Sequence, residues 1–303
     1  MLKNMDDLIN EAKKTKPLRL AVVAAADQVV VDSIKKAAQE DIVEPILIGD
    51  QLKIKEIVKK KGLTDKVIII GTDSHEDSAH RAMELIQNGE ADYPMKGHIS
   101  TNIILKALLN KQYGLRGDNI LSLVTLIYLE KENRFIILTD GGMNISPSLE
   151  DKVDLINNAA HMGHAIGIET PKAAVLAAVE AVNPSMEATL DAAALSKMSD
   201  RGQISAAEVE GPLAFDNAIS KEAAEHKGIN SAVAGDADIL LVPDIEAGNL
   251  LYKSLVFYGN QPSASVVLGA KVPLVITSRA DSSATKFNSI ALGKVMTEDK
   301  NII

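Results

Sequence analysis

Short aliphatic runs alternate with stretches of helical periodicity in the N-terminal part of the chain. Val30–Gln39 is predicted to be a helix, and a second helix carries Ala82, Leu85 and Ile86 on one face before Asn88-Gly89 ends it. The predicted buried strands are Leu18–Ala24, Pro45–Ile48 and Val67–Ile70. Strands and helices that alternate in this way are typical of parallel α/β structure.

The spacing of the elements changes in the middle of the chain. Two strand-like runs, Ile120–Leu129 and Phe135–Leu138, precede a turn-rich segment and a helix over about 148–162. An Ala-rich segment then contains a predicted helix at Glu187–Met198, followed by irregular polar sequence as far as Asp216. The regular pattern of the N-terminal part is interrupted here.

Regular βα units return towards the C-terminus. The predicted elements there are the strand Ile239–Val242, a helix over about 247–258, the strand Pro273–Ile276 and a last helix over about 282–295. We therefore expect two α/β lobes with mainly parallel sheets. Residues 1–133 plus about 277–303 form the first lobe, and residues 134–276 form the second.

Composition and charge exclude several classes of function. With 46% hydrophobic residues, the 303-residue chain is long enough to bury a large core. The net charge of −9, with 32 Lys and Arg scattered along the chain, disfavours nucleic-acid binding. The sequence has no secretory signal and no apolar run of the ~20 residues that span a bilayer, so we expect a cytoplasmic protein with no membrane partner.

The absence of cysteine limits the available chemistry further. A chain without Cys forms no disulfide, no thiolate metal site and no Cys nucleophile. His161 and His164 lie three residues apart and could share a helix face, but no third ligand accompanies them. We therefore expect no metal site.

The first candidate site is the segment Lys96-Gly97-His98, which precedes a stretch of helical apolar periodicity. Gly97 frees the backbone, and Ser100 or Thr101 can cap the following helix. The exposed N–H groups at the helix start, together with Lys96, would then bind an anion. The alternative is an ordinary capped turn between a strand and a helix.

Two further polar loops follow strands of the predicted second lobe. Asp140-Gly141-Gly142-Met143-Asn144 is a polar, glycine-rich loop. Asp244, Glu246 and Asn249 precede or begin a helix that also carries Lys253, and they are more polar groups than a helix cap requires. The alternative is that Asp244 or Glu246 only caps this helix or favours its N-terminus.

The last polar segment, Ser278-Arg279-Ala280-Asp281, suits an anionic substrate. An Arg grips phosphate through a planar fork, and a Ser hydroxyl donates a hydrogen bond. A surface pair of Arg279 with Asp281 is the alternative. Upstream, Glu210-Gly211-Pro212 before Asp216 predicts a rigid structural turn.

Taken together, these segments resemble the phosphate acetyl- and butyryltransferase family, and more closely its butyryl branch. The resemblance rests on Lys96-Gly97 with Thr101, Glu210-Gly211-Pro212 with Asp216, Pro243 to Asn249 with Lys253, and Ser278 to Asp281. It implies two α/β lobes like those of isocitrate and isopropylmalate dehydrogenases, with the active site in the interlobe cleft. It also implies a homo-oligomer, no bound cofactor, CoA as a substrate, and acyl-CoA, phosphate and acyl phosphate as the molecules bound.

The resemblance assigns part of the site. In the acetyl branch a Ser-Arg pair lies at the reaction centre, and it corresponds to Ser278 and Arg279. An Asp seven residues after that Ser is regarded there as the base, but this sequence has Thr285 at that spacing. Either Asp281 or Glu246 must then be the base, and we favour Asp281. Among the remaining groups, those expected to bind phosphate or the CoA diphosphate are Lys96, His98 and Thr101.

The expected function is reversible transfer of a butyryl or branched short-chain acyl group between CoA and phosphate, by direct attack in a ternary complex. Phosphate acetyltransferase is the alternative. An NAD-dependent dehydrogenase of similar architecture would need a nucleotide-binding loop and a metal set, and neither Gly-x-Gly-x-x-Gly nor a convincing metal set is present. A non-catalytic acyl-CoA binding protein would not need to keep Ser278 and Arg279 together.

Overall fold

A computed structural model describes residues 1–63, 66–278 and 280–299 of the chain. These residues form two compact units. Unit 1 comprises residues 1–4 and 119–263, and unit 2 comprises residues 5–118 together with the chain from Ala264 onwards. The lobe boundaries that the sequence suggests, at 133/134 and about 276/277, remain a prediction.

Strands and helices alternate through most of the described chain. The strands are β1 (Leu18–Val23), β2 (Val43–Gly49), β3 (Ile68–Gly71), β4 (Tyr93–Lys96), β5 (Ser122–Leu129), β6 (Arg134–Thr139), β7 (Lys172–Leu176), β8 (Glu208–Leu213), β9 (Ile239–Leu241), β10 (Ser263–Leu268) and β11 (Leu274–Val275). The helices are α1 (Met5–Ala12), α2 (Gln28–Gln39), α3 (Gln51–Lys61), α4 (His75–Gln87), α5 (Thr101–Leu108), α6 (Leu149–Ala165), α7 (Glu187–Asp200), α8 (Phe215–Ile219), α9 (Lys221–His226), α10 (Ile245–Lys253) and α11 (Ser283–Glu298). A π-helical turn at Ser254–Tyr258 extends α10.

In unit 2 the strand order is β3-β2-β1-β4-β11-β10. In this spatial order, β3, β2, β1, β4 and β11 are each parallel to their neighbours. The last pair, β11 with β10, is antiparallel. β1 is fully buried from Leu20 to Val23, as expected for a central parallel strand whose two faces are both covered. Ala21 of β1 lies opposite Pro94 of β4. This confirms the mainly parallel α/β fold that the sequence predicts.

Helix α11 forms part of the core of unit 2. Every residue from Thr285 to Met296 is buried, so the helix is enclosed on all sides rather than along one stripe. The buried Tyr93 donates its hydroxyl to the carbonyl oxygen of Ile290 at 3.0 Å, which ties β4 to α11. The position of this helix therefore depends on the strands that surround it.

In unit 1 the strand order is β5-β6-β9-β7-β8, and every pair is parallel except β5 with β6. The turn predicted at Glu210-Gly211-Pro212 was wrong, because these residues belong to β8. β8 stands at the end of this order and pairs with β7 alone among the described strands of the unit. A strand at an edge tolerates a proline, since its lost N–H need not serve a second neighbour.

No helix within the described ranges is long and apolar enough to cross a membrane.

We expect Tyr93→Phe to lower the free energy of unfolding by about 1 kcal/mol, because it removes one buried hydrogen bond and keeps the ring. The measurement is the midpoint of equilibrium urea unfolding, followed by circular dichroism. Tyr258→Phe is the control, because Tyr258 is 92% exposed and its substitution should change the free energy of unfolding by less than about 0.5 kcal/mol. Equal midpoints for Tyr93→Phe and wild type would contradict the role of this contact.

Candidate active site

A cavity of about 240 Å³ lies beyond the carboxyl ends of β1, β4 and β11 in unit 2. β2 and β3 lie on one side of β1, whereas β4 lies on its other side. In open α/β sheets, ligands bind at such a switch point beyond the carboxyl ends of the strands. The residues that line the cavity are Asp27, Val29, Val30, Lys96, Gly97, His98, Thr277, Ser278 and Lys286.

Gly97 brings the loop after β4 against the end of β1. Its N–H donates to the carbonyl of Val23 at 2.8 Å, and the N–H of His98 donates to the carbonyl of Ala24 at 2.9 Å. A Cβ atom at Gly97 would lie 2.5 Å from both of these oxygens, so only glycine allows this approach without displacement of the backbone. The two neighbours of Gly97 are thereby fixed at the cavity: Lys96 is buried and His98 is exposed.

The N-terminal end of α2 forms one wall of the cavity. Asp27 caps this helix, because its Oδ1 accepts the N–H of Val30 at 2.9 Å. The first turn of a helix carries partial positive charge, which favours an anion nearby. The Oδ2 atom of Asp27 lies 3.9 Å from Nδ1 of His98. Thr101, which the sequence grouped with Lys96, begins α5 and does not line this cavity.

Ser278 and Asp281 belong to one tight turn between β11 and α11. The backbone N–H of Ser278 donates to Oδ2 of Asp281 at 2.6 Å, and the N–H of Asp281 donates to the carbonyl of Ser278 at 3.2 Å. Asp281 is buried, whereas the Ser278 side chain is exposed and borders the cavity. Ser282 then caps α11. Arg279 lies outside the described residues.

The sequence did not identify Lys286 as a site residue. Its Nζ donates to the carbonyl of Ser278 at 2.7 Å and to the carbonyl of Asp281 at 3.2 Å, and the residue is 4% exposed. Burial lowers the pKa of this ammonium below that of an ordinary lysine, although the carboxylates of Asp281 and Asp27 act to raise it. A lysine inside a predicted helix is typical of a solvated face, so no sequence signal distinguished it. Asp27 was missed for a similar reason, because a helix cap is a common role for aspartate.

In unit 1, the carboxylate of Asp140 organises the loop after β6. It accepts the backbone N–H groups of Gly142, Met143 and Asn144 and the side-chain amide of Asn144, at 2.6 to 3.2 Å. Burial raises the pKa of Asp140, and these donors act in the opposite direction. The loop therefore has a defined shape that its own aspartate determines.

Helix α10 packs closely on this loop. Its Gly248 lies so near that a Cβ there would be 2.7 Å from the carbonyl oxygen of Asp140, and the amide of Asn249 donates to the carbonyl of Gly141 at 3.1 Å. Asp244 caps the helix by accepting the N–H of Ala247 at 2.8 Å. Glu246 in the first turn and Lys253 in the last turn are both exposed.

The structure thus groups the predicted site residues in two sets. Lys96, Gly97, His98 and Ser278 meet at the cavity of unit 2, while Asp140, Asn144 and Asn249 meet in the loop of unit 1. In the ranges that the structure describes, no group of three or more His, Cys, Asp or Glu residues is arranged to hold a metal ion.

Two other cavities differ in their relation to the strand ends. One of about 280 Å³ in unit 2 also includes His98 and borders the carboxyl ends of β2 and β3 through Gly49 and Thr72. Another, of about 460 Å³ in unit 1, borders the starts of β6 and β7 at Arg134 and Lys172. We assign no substrate to the larger cavity, because ligands of open α/β sheets bind at the opposite ends of the strands.

Comparison with known proteins identifies the family. The model of a family described as Phosphate acetyl/butaryl transferase matches residues 70–293. Phosphate butyryltransferase of Clostridium acetobutylicum is 43% identical to this chain over 99% of it and 100% of the relative. Phosphate acetyltransferase of Thermotoga maritima is 46% identical, over 94% of this chain and 97% of the relative.

Solved structures agree with this relationship. A branched-chain phosphotransacylase from Enterococcus faecalis V583 superposes with a TM-score of 0.83 at 30% identity, over 93% of this chain and 99% of that one. A 4-hydroxythreonine-4-phosphate dehydrogenase from Klebsiella pneumoniae, at a TM-score of 0.55 and 13% identity over 94% of this chain and 100% of that one, shares the fold alone. Since these matches extend through both compact units, the chain belongs to the phosphate acetyl/butaryl transferase family of acyltransferases.

Proposed function

We propose that this chain transfers a short acyl group reversibly between CoA and inorganic phosphate. The observation that carries the proposal is the cavity at the switch point of unit 2, which Lys96, Lys286, the first turn of α2 and the exposed Ser278 all line. Ammonium groups and a helix N-terminus suit an anion, and the hydroxyl suits an oxygen that gains charge during the reaction. Family membership supports acyl-CoA as the second substrate.

The chemistry follows from a phosphate held in this cavity. One phosphate oxygen attacks the thioester carbonyl, so that a C–O bond forms, the C–S bond breaks and CoA leaves as the thiolate. Ser278 donates a hydrogen bond to the oxyanion that develops on the carbonyl oxygen. Arg279, whose role rests on the family resemblance alone, would hold two phosphoryl oxygens through its planar fork. No covalent enzyme intermediate is required, in accord with a chain that lacks cysteine.

In the reverse direction the CoA thiol must lose its proton before it attacks the acyl phosphate. A thiol with a pKa of about 8.5 is only a few per cent ionised at neutral pH, so a base assists. We propose Asp281, because it shares a turn with Ser278 at the cavity. One Asp281 oxygen accepts the Ser278 N–H at 2.6 Å, which ties this carboxylate to a residue that lines the cavity.

The other predicted binding residues take different parts in this proposal. We propose that Asp140, Asn144 and Asp244 shape the loop and helix of unit 1, because their hydrogen bonds are made within that structure. Lys253, exposed at the end of α10, is proposed to meet a phosphate group of CoA. Asn249 is proposed to hold the loop against α10.

Two cavities that share His98 support a ternary complex. We propose that phosphate occupies the cavity of Lys96 and Ser278, and that part of CoA occupies the cavity that Gly49 and Thr72 border. A cytoplasmic location and a homo-oligomer are part of the same proposal and rest on the family resemblance.

The acyl preference is proposed to be butyryl or branched, as in the Clostridium relative and the Enterococcus structure. Acetyl is the second candidate, because the Thermotoga acetyltransferase is 46% identical to this chain. We expect release of CoA thiol from butyryl- or isobutyryl-CoA only when phosphate is present, with a higher kcat/KM than from acetyl-CoA. A higher kcat/KM for acetyl-CoA would reassign the preference, and no thiol release from any of the three would refute the proposed function.

We expect Ser278→Ala to lower kcat by about 10²- to 10³-fold, because it removes a donor to the developing oxyanion. The matched control is Ser283→Ala, since Ser283 is an exposed serine in the first turn of α11 that does not line the cavity. Steady-state thiol release at saturating substrates measures both variants. Similar kcat values for the two variants would remove Ser278 from the reaction centre.

The base is tested by comparing Asp281→Asn with Glu246→Gln across pH in the direction that consumes acyl phosphate and CoA. Asn keeps an oxygen that can accept the Ser278 N–H, so the turn survives while the basic group is lost. We expect Asp281→Asn to lose the acid limb of the kcat profile and to recover partly at high pH, where CoA is ionised by solvent. Glu246→Gln should keep the wild-type limb. The reverse result would assign the base to Glu246.

A further inference from the structure

Helix α11 contains two buried lysines with similar surroundings. Lys286 donates to the carbonyls of Ser278 and Asp281, and Lys294 donates to the carbonyls of Thr15 and Lys16 at 3.2 and 2.9 Å. Burial lowers the pKa of both ammonium groups. The two lysines differ in one respect, because Lys286 lines the switch-point cavity and Lys294 does not. This difference points to a role for Lys286 beyond holding the chain.

We propose that Lys286 is a direct ligand of the phosphate substrate, with its ammonium anchored by two carbonyls and its third N–H available to a phosphate oxygen. This inference rests on the proposed function. An ammonium has three donors, and within the described part of the chain the structure gives Nζ of Lys286 two hydrogen-bond acceptors. A buried donor that borders a cavity and keeps an unused N–H is suited to a charged ligand, since an unsatisfied buried donor costs stability.

The anchoring carbonyls connect this ligand to the reaction centre. Both belong to the turn that carries Ser278 and Asp281, so Nζ of Lys286 is 2.7 Å from the backbone of the residue that donates to the oxyanion. A phosphate bound by Lys286 would therefore be positioned relative to Ser278 through an ammonium that two backbone carbonyls hold in place. The alternative, in which Lys286 only braces the turn, predicts that the pH dependence of phosphate affinity stays the same when arginine replaces Lys286 and keeps the charge.

The charged groups near Lys286 come from several elements. They are Asp27 at the N-cap of α2, Lys96 and His98 after β4, and Asp281 in the turn before α11. Lys36 lies with its Nζ 4.0 Å from the centre of the Phe287 ring, beside the next residue of α11. Asp27 carries a negative charge that opposes an anion, and its Oδ1 accepts the N–H of Val30. The two lysines and the helix N-terminus at the cavity supply the positive charge that phosphate requires.

The pH dependence of phosphate binding follows with a definite sign. Below the lowered pKa the ammonium is intact and binds phosphate, and as pH rises through that value the charge is lost and the affinity falls. The affinity of the wild-type protein for phosphate should therefore fall at a lower pH than the ordinary pKa of lysine implies. Arginine stays charged over this whole range, so Lys286→Arg should keep the affinity and lose the pH dependence.

The experiment is calorimetric titration of the full-length chain with inorganic phosphate between pH 6 and 10, alongside the KM for phosphate at saturating acyl-CoA. We expect Lys286→Gln to raise both the Kd and the KM by about 10- to 100-fold, with a smaller effect on kcat. Lys286→Arg should show a Kd near the wild-type value at neutral pH and no alkaline loss of affinity. Lys294→Gln, the matched control, should leave the phosphate Kd unchanged even where it lowers stability.

Each result decides a separate claim. An unchanged phosphate Kd in Lys286→Gln, or an alkaline loss of affinity that persists in Lys286→Arg, overturns the assignment of Lys286. If Lys286→Gln does not fold, the comparison of Lys286→Arg with wild type across pH still decides. Phosphate binding without any turnover of acyl-CoA would refute the proposed function and leave Lys286 as a phosphate ligand. Turnover of acyl-CoA with an unchanged phosphate KM in both Lys286→Gln and Lys286→Arg would support the proposed function and overturn the assignment of Lys286.

Discussion

The contact of the Gly97 backbone with the carbonyls of Val23 and Ala24 determines the geometry of the unit 2 site. It brings the loop after β4 to the end of β1, where the connection of β1 turns towards α2. A Cβ atom at residue 97 would lie 2.5 Å from both carbonyl oxygens, so these two loops would have to move apart. Because residue 97 has no side chain, the two loops stay in contact. Lys96, His98 and the first turn of α2 therefore line one cavity.

The electrostatics of the site are local rather than global. The chain carries a net charge of −9, yet the cavity is bordered by two buried lysines and a helix N-terminus. A charge removed from water interacts more strongly with a ligand than an exposed charge, because less solvent screens it. Burial also has a cost, which is visible in the lowered pKa of Lys286 and which the two backbone carbonyls partly offset. The cavity therefore has a local charge that suits an anion, although the chain as a whole is acidic.

Unit 1 shows how polar residues with the composition of a binding site can serve structure. The four donors to Asp140 and the cap made by Asp244 leave these carboxylates engaged with their own backbone. Gly141 and Gly248 allow the loop and α10 to touch backbone to backbone. Such a rigid loop is a suitable platform for neighbouring exposed side chains such as Lys253, which remain accessible.

The alternation of apolar runs and helical periods determined the α/β class, because burial of a strand or of a helix face requires these periods locally. The sequence indicated a strand before Lys96 but not its bounds, because β4 is a central strand of four residues that contains Pro94 and local rules place proline at edges. Gly211-Pro212 was mistaken for a turn because a Gly-Pro pair is a common turn signal, although here it lies in an edge strand.

The sequence motifs located Lys96, Gly97, His98 and Ser278, because residue type and position after a strand are visible in one dimension. Only the tertiary structure decided that Lys286 is buried, since α11 is enclosed on every side and carries no amphipathic pattern. Likewise, the environment of Asp27 depends on segments distant in sequence, namely the ends of β4 and β11. Chemical identity is a property of the sequence, whereas burial, proximity and the resulting charge state arise from contacts between segments that the chain brings together only on folding.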